Sequence, residues 1–315
     1  MGWADYSAGA GPANSARDIL KGTDYAPNQY RLALPYLIRF LARTLHVRRG
    51  YLLTGALDGI AAYVASYLLY LRLARSSWIS QMGGSARAVA VALFLAALQF
   101  PIAWVVPWQR PETLPSAAYL AASLLIIPRA ITRPVLYIVL FLLTLWQAFV
   151  RSDIPFVFGL SMILLGFLGR SPKIVSDRWA LSLCGMIVAG TAAVIQMMMK
   201  YVFFPNAVYP PGTALVQLTE NLSLHRSSTA AVALLPCFVL LWLGKRVMAR
   251  LDPMDWLTIL SSVLYLPLWL AVGVASEVRI YVPFLLILCP VAAKILSLYL
   301  TTDGPNTMGG RRLQS

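Results

Sequence analysis

An all-α polytopic membrane bundle is the fold class that three features of the sequence predict. Hydrophobic residues make up 59% of the chain and charged residues only 12%, about half the charged share of a soluble domain. The apolar residues gather in runs of roughly 16 to 24, the length at which a helix crosses hydrocarbon while satisfying its own backbone hydrogen bonds. The Lys and Arg residues behind the net charge of +14 sit mainly in the short connections between those runs. Such a distribution reflects membrane topology and argues against a nucleic-acid partner.

Spans are expected at about 51–71, 88–106, 117–128, 134–150, 155–169, 180–200, 229–244, 255–275 and 281–299. The runs at 117–128 and 155–169 are short enough to be tilted or partly re-entrant. The connections alternate in charge. One set is basic: Arg72, Arg75 and Arg87; Arg129 and Arg133; Arg170, Lys173 and Arg178; Lys245, Arg246 and Arg250; and the tail with Arg311 and Arg312. The other set is nearly balanced: Arg110 with Glu112, Arg151 with Asp153, the 201–228 loop, and Glu277 with Arg279. The positive-inside rule then puts the first set and the C-terminus in the cytoplasm and residues 1–50 outside, as in a bacterial inner-membrane protein. Three regions follow: an exoplasmic segment 1–50 with short helices, a bundle 51–300 with an outer loop at 201–228, and a cytoplasmic tail 301–315. Only Arg43, His46, Arg48 and Arg49 run against this scheme, on the outer side just before the first span.

Cys184, Cys237 and Cys289 each lie inside an apolar run, without CxxC or Cys/His spacing, and read as small hydrophobes. No Walker loop, dinucleotide fingerprint, HExxH or Ser-centred elbow is present, so no nucleotide cofactor is expected. The N-terminus lacks the apolar core of a cleavable signal peptide.

The long polar passage at residues 2–31 is the most informative part of the chain. Ala13 to Leu20 suits a short helix, which Gly22 ends by supplying a left-handed residue, and Asp24-Tyr25-Ala26-Pro27 turns the chain. Between Asn28 and Arg49, Leu34, Leu37, Ile38, Leu41 and Leu45 recur at helical spacing while Arg39, Arg43 and His46 follow their own stripe. That pattern predicts an amphipathic helix on the membrane surface. Its arginines have two readings: anchors on anionic headgroups, or partners for the phosphate of a lipid-linked substrate.

A Trp-x-Asp-Tyr beginning (Trp3, Asp5, Tyr6), a small-residue helix closing in Leu20-x-Gly22-x-Asp24-Tyr25, and a basic amphipathic segment together resemble the first exoplasmic loop of the GT-C membrane glycosyltransferases. The resemblance is closest to the polyprenyl-phosphate-mannose-dependent branch and covers about 30 of the 315 residues. It implies an essential Asp in that loop, a role falling on Asp5, with Asp24 and Tyr25 beside it at the substrate. The family carries a transmembrane helix ahead of this loop, whereas here Asp5 sits almost at Met1; a start at an internal methionine or the loss of that helix would both give the outside N-terminus that the loop charges predict. The implied activity is sugar transfer from a polyprenyl-phosphate donor to a glycan or lipid acceptor, with basic side chains or a divalent metal balancing the leaving phosphate.

Other residues offer chemistry of their own. Glu277 and Arg279, in "VASEVRIYVPF", stand at the outer end of the penultimate span, as a local pair or as holders of a sugar hydroxyl and a phosphate. Asp58 lies two turns inside the first span, where an ionisable group is costly and marks a functional candidate. In the 201–228 loop, aromatics with Glu220, His225 and Arg226 suit either an ordered connection or a lid over a carbohydrate; Asn221-Leu222-Ser223 is a glycosylation sequon by pattern. Two further classes stay open beside the transferase: a transporter or flippase using Asp58, and a non-catalytic subunit of a membrane complex.

Overall fold

The computed structural model describes residues 16–21, 30–46, 50–105, 112–130, 132–168, 178–207, 214–223, 226–228, 247–272 and 278–302, with isolated positions between 230 and 242. Every regular element among them is helical. Two short helices come first, α1 (Ala16–Lys21) and α2 (Ala33–Thr44). The bundle follows: α3 (Gly50–Ala74), α4 (Gly84–Val105), α5 (Thr113–Ala130), α6 (Val135–Arg151), α7 (Asp153–Leu168) and α8 (Arg178–Met198). The chain closes with the short α9 (Ala214–Asn221) and two long helices, α10 (Pro253–Val272) and α11 (Val282–Thr302).

Six of these, α3, α4, α5, α8, α10 and α11, are long and apolar enough to cross a membrane; α6 and α7 are apolar but shorter. The run expected at 117–128 is the interior of an 18-residue helix, because Thr113 and Ser116 are buried in the bundle and extend it beyond the purely apolar stretch. The span expected at 229–244 falls largely outside the described residues. Helix α11 is the centre of the bundle, with 78% of its span window buried against 22% for α4. It packs on α4, α5 and α10, and α3 packs along α5.

Between helices in lipid there is no hydrophobic driving force, so close contact depends on small residues that let backbones approach. The α7–α8 hairpin does this. Gly159 faces Ala189 and Gly185 faces Gly159, so that a Cβ built on Gly159 would lie 2.5 Å from the Ala189 amide nitrogen. One on Gly185 would lie 2.6 Å from the Gly159 carbonyl oxygen. Both obstacles are backbone and cannot swing aside.

Helix α2 matches the expected amphipathic segment in its core. Leu34, Pro35 and Ile38 are buried against the bundle, while Tyr36, Arg39, Phe40 and Arg43 are exposed. Leu45, expected on the apolar face, is exposed because the helix ends before it; His46 takes the left-handed conformation, φ 55°, that closes a helix C-terminus. Tyr30, just ahead of α2, is buried among Ala148, Ile195 and Met199 and fixes the segment to α6 and α8.

Replacing Gly185 by Leu is expected to destabilise the protein by about 1–3 kcal/mol through overpacking. Gly190, on the same helix with open space around its Cα, should instead gain about 0.5–1 kcal/mol on replacement by Ala. Thermal unfolding of the two variants in one detergent checks both signs.

Candidate functional site

Polar side chains from distant parts of the chain meet at the end of the bundle where α6 turns into α7. Only Ser152 separates these helices, so Arg151 and Asp153 emerge side by side. Arg151 is buried; its Nη2 donates to Asp153 Oδ2 at 2.5 Å and to the Tyr265 hydroxyl, and its Nη1 donates to the Ile280 carbonyl at 3.4 Å. The Tyr265 hydroxyl in turn donates to Asp153 Oδ2 at 2.6 Å. A guanidinium in a low-dielectric bundle is tolerated only with this degree of pairing. Next to it Arg31 Nη1 lies 2.7 Å from Glu112 Oε1. The Gln147 amide donates to Ser116 Oγ at 2.8 Å, and Ser116 donates to the Glu112 carbonyl, which joins the two ion pairs through α5 and α6.

The groups differ in exposure: the Arg151 side chain is 4% exposed, whereas those of Asp153 and Arg31 are 34% and 28% exposed. Aromatic rings floor the site: Tyr265 stacks on Phe284 at 4.3 Å and Trp269 on Tyr281 at 5.4 Å.

Of the residues singled out in the sequence, Arg279 belongs to this end. It is buried in the short turn Val278–Ile280, whose last carbonyl Arg151 holds. Asp58 lies on α3 two turns from the same end, and its charged neighbour is Glu112; its Oδ1 is buried with no hydrogen-bond partner among the described residues. Arg39 and Arg43 are on the exposed face of α2, away from the buried cluster. Arg226 pairs with Glu220 at 2.6 Å on the surface. Asn221 is buried and donates to the Leu270 carbonyl at 2.7 Å, so this sequon asparagine is engaged in packing α9 on α10. Asp5, Asp24, Tyr25, His225 and Glu277 lie outside the described residues. Cys184 and Cys289 are buried free thiols. No group of three or more potential metal ligands occurs among the described residues.

Charge is concentrated a second time at the opposite end. Asp255 is shared by Arg72, at 2.9 Å from Oδ1, and Lys294, at 2.5 Å from Oδ2; Arg72 also donates to Thr258 at 2.8 Å. Asp252 caps α10, accepting from the amides of Met254 and Asp255, and lies 3.2 Å from Lys294. With Pro253 at the first helical position and Asp255 returning a bond to the Asp252 amide, the "DPMD" stretch is a capping box. Here the cations and carboxylates satisfy one another.

The sequence reading missed Arg31, Glu112, Arg151, Asp153 and Tyr265 as site residues. The acids and arginines of 110–112 and 151–153 were visible, but only as balanced loops. The signal that could have raised them is an Arg-x-Asp step confined between two apolar runs with no room for a solvated loop.

Together the helices and their buried charges define a polytopic α-helical membrane protein with two polar ends, one self-satisfied and one partly open. The chain matches no protein-family model, no curated protein and no solved structure.

Replacing Asp255 by Asn leaves the buried Arg72 without its carboxylate and Lys294 with Asp252 alone, and is expected to cost about 3–5 kcal/mol of stability. Removing the exposed Arg226–Glu220 pair should cost no more than about 1 kcal/mol. Chemical unfolding in detergent distinguishes them. Asp252, outside the spans, titrates below its ordinary value of 3.8: burial alone would raise it, but Lys294, Arg72 and the Asp255 amide outweigh burial. It therefore contributes stability above pH about 4 that is lost as pH falls through the lower native value. The melting temperature of wild type should fall more steeply than that of Asp252→Asn between pH 5 and pH 3, on the order of one carboxylate's linkage.

Proposed function

We propose that this chain is a membrane glycosyltransferase of the GT-C type, moving a sugar from a polyprenyl-phosphate donor to a hydroxyl acceptor on the exoplasmic side. The observation that supports this most is the attachment of two distant candidate regions to one polar end of the bundle. Tyr30 and Arg31 tie the segment after Asp24 to that end. Arg151 ties the Val278–Ile280 turn, with Arg279, to the same end.

In this reaction the bond between the anomeric carbon and the phosphate oxygen breaks as the acceptor oxygen bonds to that carbon. The acceptor proton passes to Asp5, the general base, with Asp24 and Tyr25 orienting the sugar and Glu277 and His225 contributing hydrogen bonds to its hydroxyls. Negative charge grows on the departing lipid phosphate. Arg31, partly exposed and already aligned by Glu112, and Arg279 are the guanidiniums best placed to stabilise it. Arg39 and Arg43 lie on the exposed side of α2, and Arg31 joins Arg279 as the phosphate partner at the buried end. A divalent metal could share the same task.

A second reading, a transporter, draws on Asp58 alone, whose buried and unpartnered Oδ1 is what an ion- or proton-coupled carrier uses.

Purified protein in vesicles, supplied with a polyprenyl-phosphate sugar and a mixture of hydroxyl acceptors, is expected to release polyprenyl phosphate. Asp5→Asn should lower the rate by about a hundredfold or more. Undiminished turnover in that variant removes Asp5 from the mechanism. No turnover by wild type, together with solute uptake abolished by Asp58→Asn, favours the transporter.

A further inference from the structure

Helix α2 carries a second stripe that the buried site does not use. Tyr36, Arg39, Phe40 and Arg43 follow one another at i, i+3, i+4 and i+7, so they share one face, and all four are exposed. Beside them lies an apolar groove of about 450 Å³, bounded by Leu32 just ahead of α2, by Ala33, Tyr36 and Phe40 of α2 and by Trp146 and Phe149 of α6. Its volume is in the range of about 300–1,000 Å³ that small-molecule pockets occupy. Almost no polar surface lines it.

We propose that this groove is a binding site for one hydrocarbon chain of an anionic membrane phospholipid, whose phosphate is held by Arg39 and Arg43. The charge argument is direct. Neither guanidinium takes part in an ion pair among the described residues, and the groove itself offers a ligand only apolar contact, so an occupant must combine a hydrocarbon chain with a negative head. The position argues for a bulk lipid. Tyr36, Phe40 and Trp146 are 51%, 63% and 43% exposed, so the groove opens outward from the bundle. The buried side of the helix, Leu34, Pro35 and Ile38, faces the bundle, and Arg39 and Arg43 lie on its exposed side. Trp146 lies just over one turn from the polar end of α6, the depth at which tryptophan marks the membrane interface. This assignment stands independently of the proposed transferase activity.

The test uses the full-length protein in phosphatidylcholine nanodiscs titrated with phosphatidylglycerol brominated on its acyl chains, read by tryptophan fluorescence. The chain has nine tryptophans, so the Trp146 signal is taken as the difference from Trp146→Phe. Quenching of that signal should favour brominated phosphatidylglycerol over brominated phosphatidylcholine roughly thirtyfold, as expected for two guanidiniums at an anionic surface. The preference should fall toward unity in Arg39→Gln/Arg43→Gln, which changes only exposed side chains. Ala33→Phe, which fills the groove and keeps both arginines, should lose the Trp146 quenching. Equal quenching by the two headgroups, or full quenching in Ala33→Phe, overturns the proposal. So does displacement of the brominated lipid by polyprenyl phosphate at far lower concentration than by unlabelled phosphatidylglycerol, which would assign the groove to a donor lipid.

Discussion

The carboxylate of Asp255 sits between two cations inside the bundle, and the arrangement of the long helices depends on that contact. A charge removed from water costs several kcal/mol and is tolerated only when its partners are close and its remaining lone pairs are used. Asp255 meets this condition by drawing on three helices at once: Arg72 from the end of α3, Lys294 from the middle of α11, and its own capping geometry at the start of α10. None of these helices can slide or rotate without separating the pair. Along α10, Asp255, Thr258, Ser262 and Tyr265 are all buried at i, i+3, i+7 and i+10, so a single polar stripe runs from this cluster toward the other. Ten residues of helix separate Asp255 from Tyr265, about 15 Å. One helix thus joins the two charged ends of the molecule.

The two ends differ in what they leave over. At the Asp255 end each cation has carboxylate partners and each carboxylate has cations or backbone amides. At the Arg151 end the innermost guanidinium is saturated, but Arg31 and Asp153 retain exposed surface, and Asp58 nearby has an oxygen that no described group satisfies. A ligand with phosphate oxygens meets a partly exposed cation, Arg31, at the second end, whereas at the first both cations are buried and the exposed charge is the Asp252 carboxylate.

The helices were readable because their signal is local: apolar runs of bilayer length and alternating loop charge need no knowledge of partners. Boundaries shifted where polar residues are buried, as in α5, since Thr113 and Ser116 look like loop residues until the bundle covers them. The candidate site was legible only in part. Arg279 was found because it stands beside an acid at a span boundary. Arg31 and Glu112 are 81 residues apart, and Arg151 and Tyr265 are 114 apart; nothing in the spacing of either pair announces a contact that only the folded topology creates. Arg39 and Arg43 lie on the exposed side of α2, where an amphipathic surface helix carries its cations, whether as headgroup anchors or as phosphate partners.

That helix links the membrane surface to the site. Arg31 stands immediately before Leu32, the residue that opens α2, and the same helix carries Arg39 and Arg43 on its exposed side. An α-helix of 12 residues is stiff over its length of about 18 Å, so under the lipid assignment a headgroup contact at its arginines would be transmitted to Arg31 at the other end. The buried residues Leu34 and Ile38 hold the helix against the bundle, and Tyr30 fixes its start between α6 and α8. The bundle thereby determines where Arg31 points, while the proposed lipid contact would oppose rotation of α2 about its own axis. A guanidinium that must meet a phosphate needs both constraints, because its forked donors recognise two oxygens only over a narrow range of orientation.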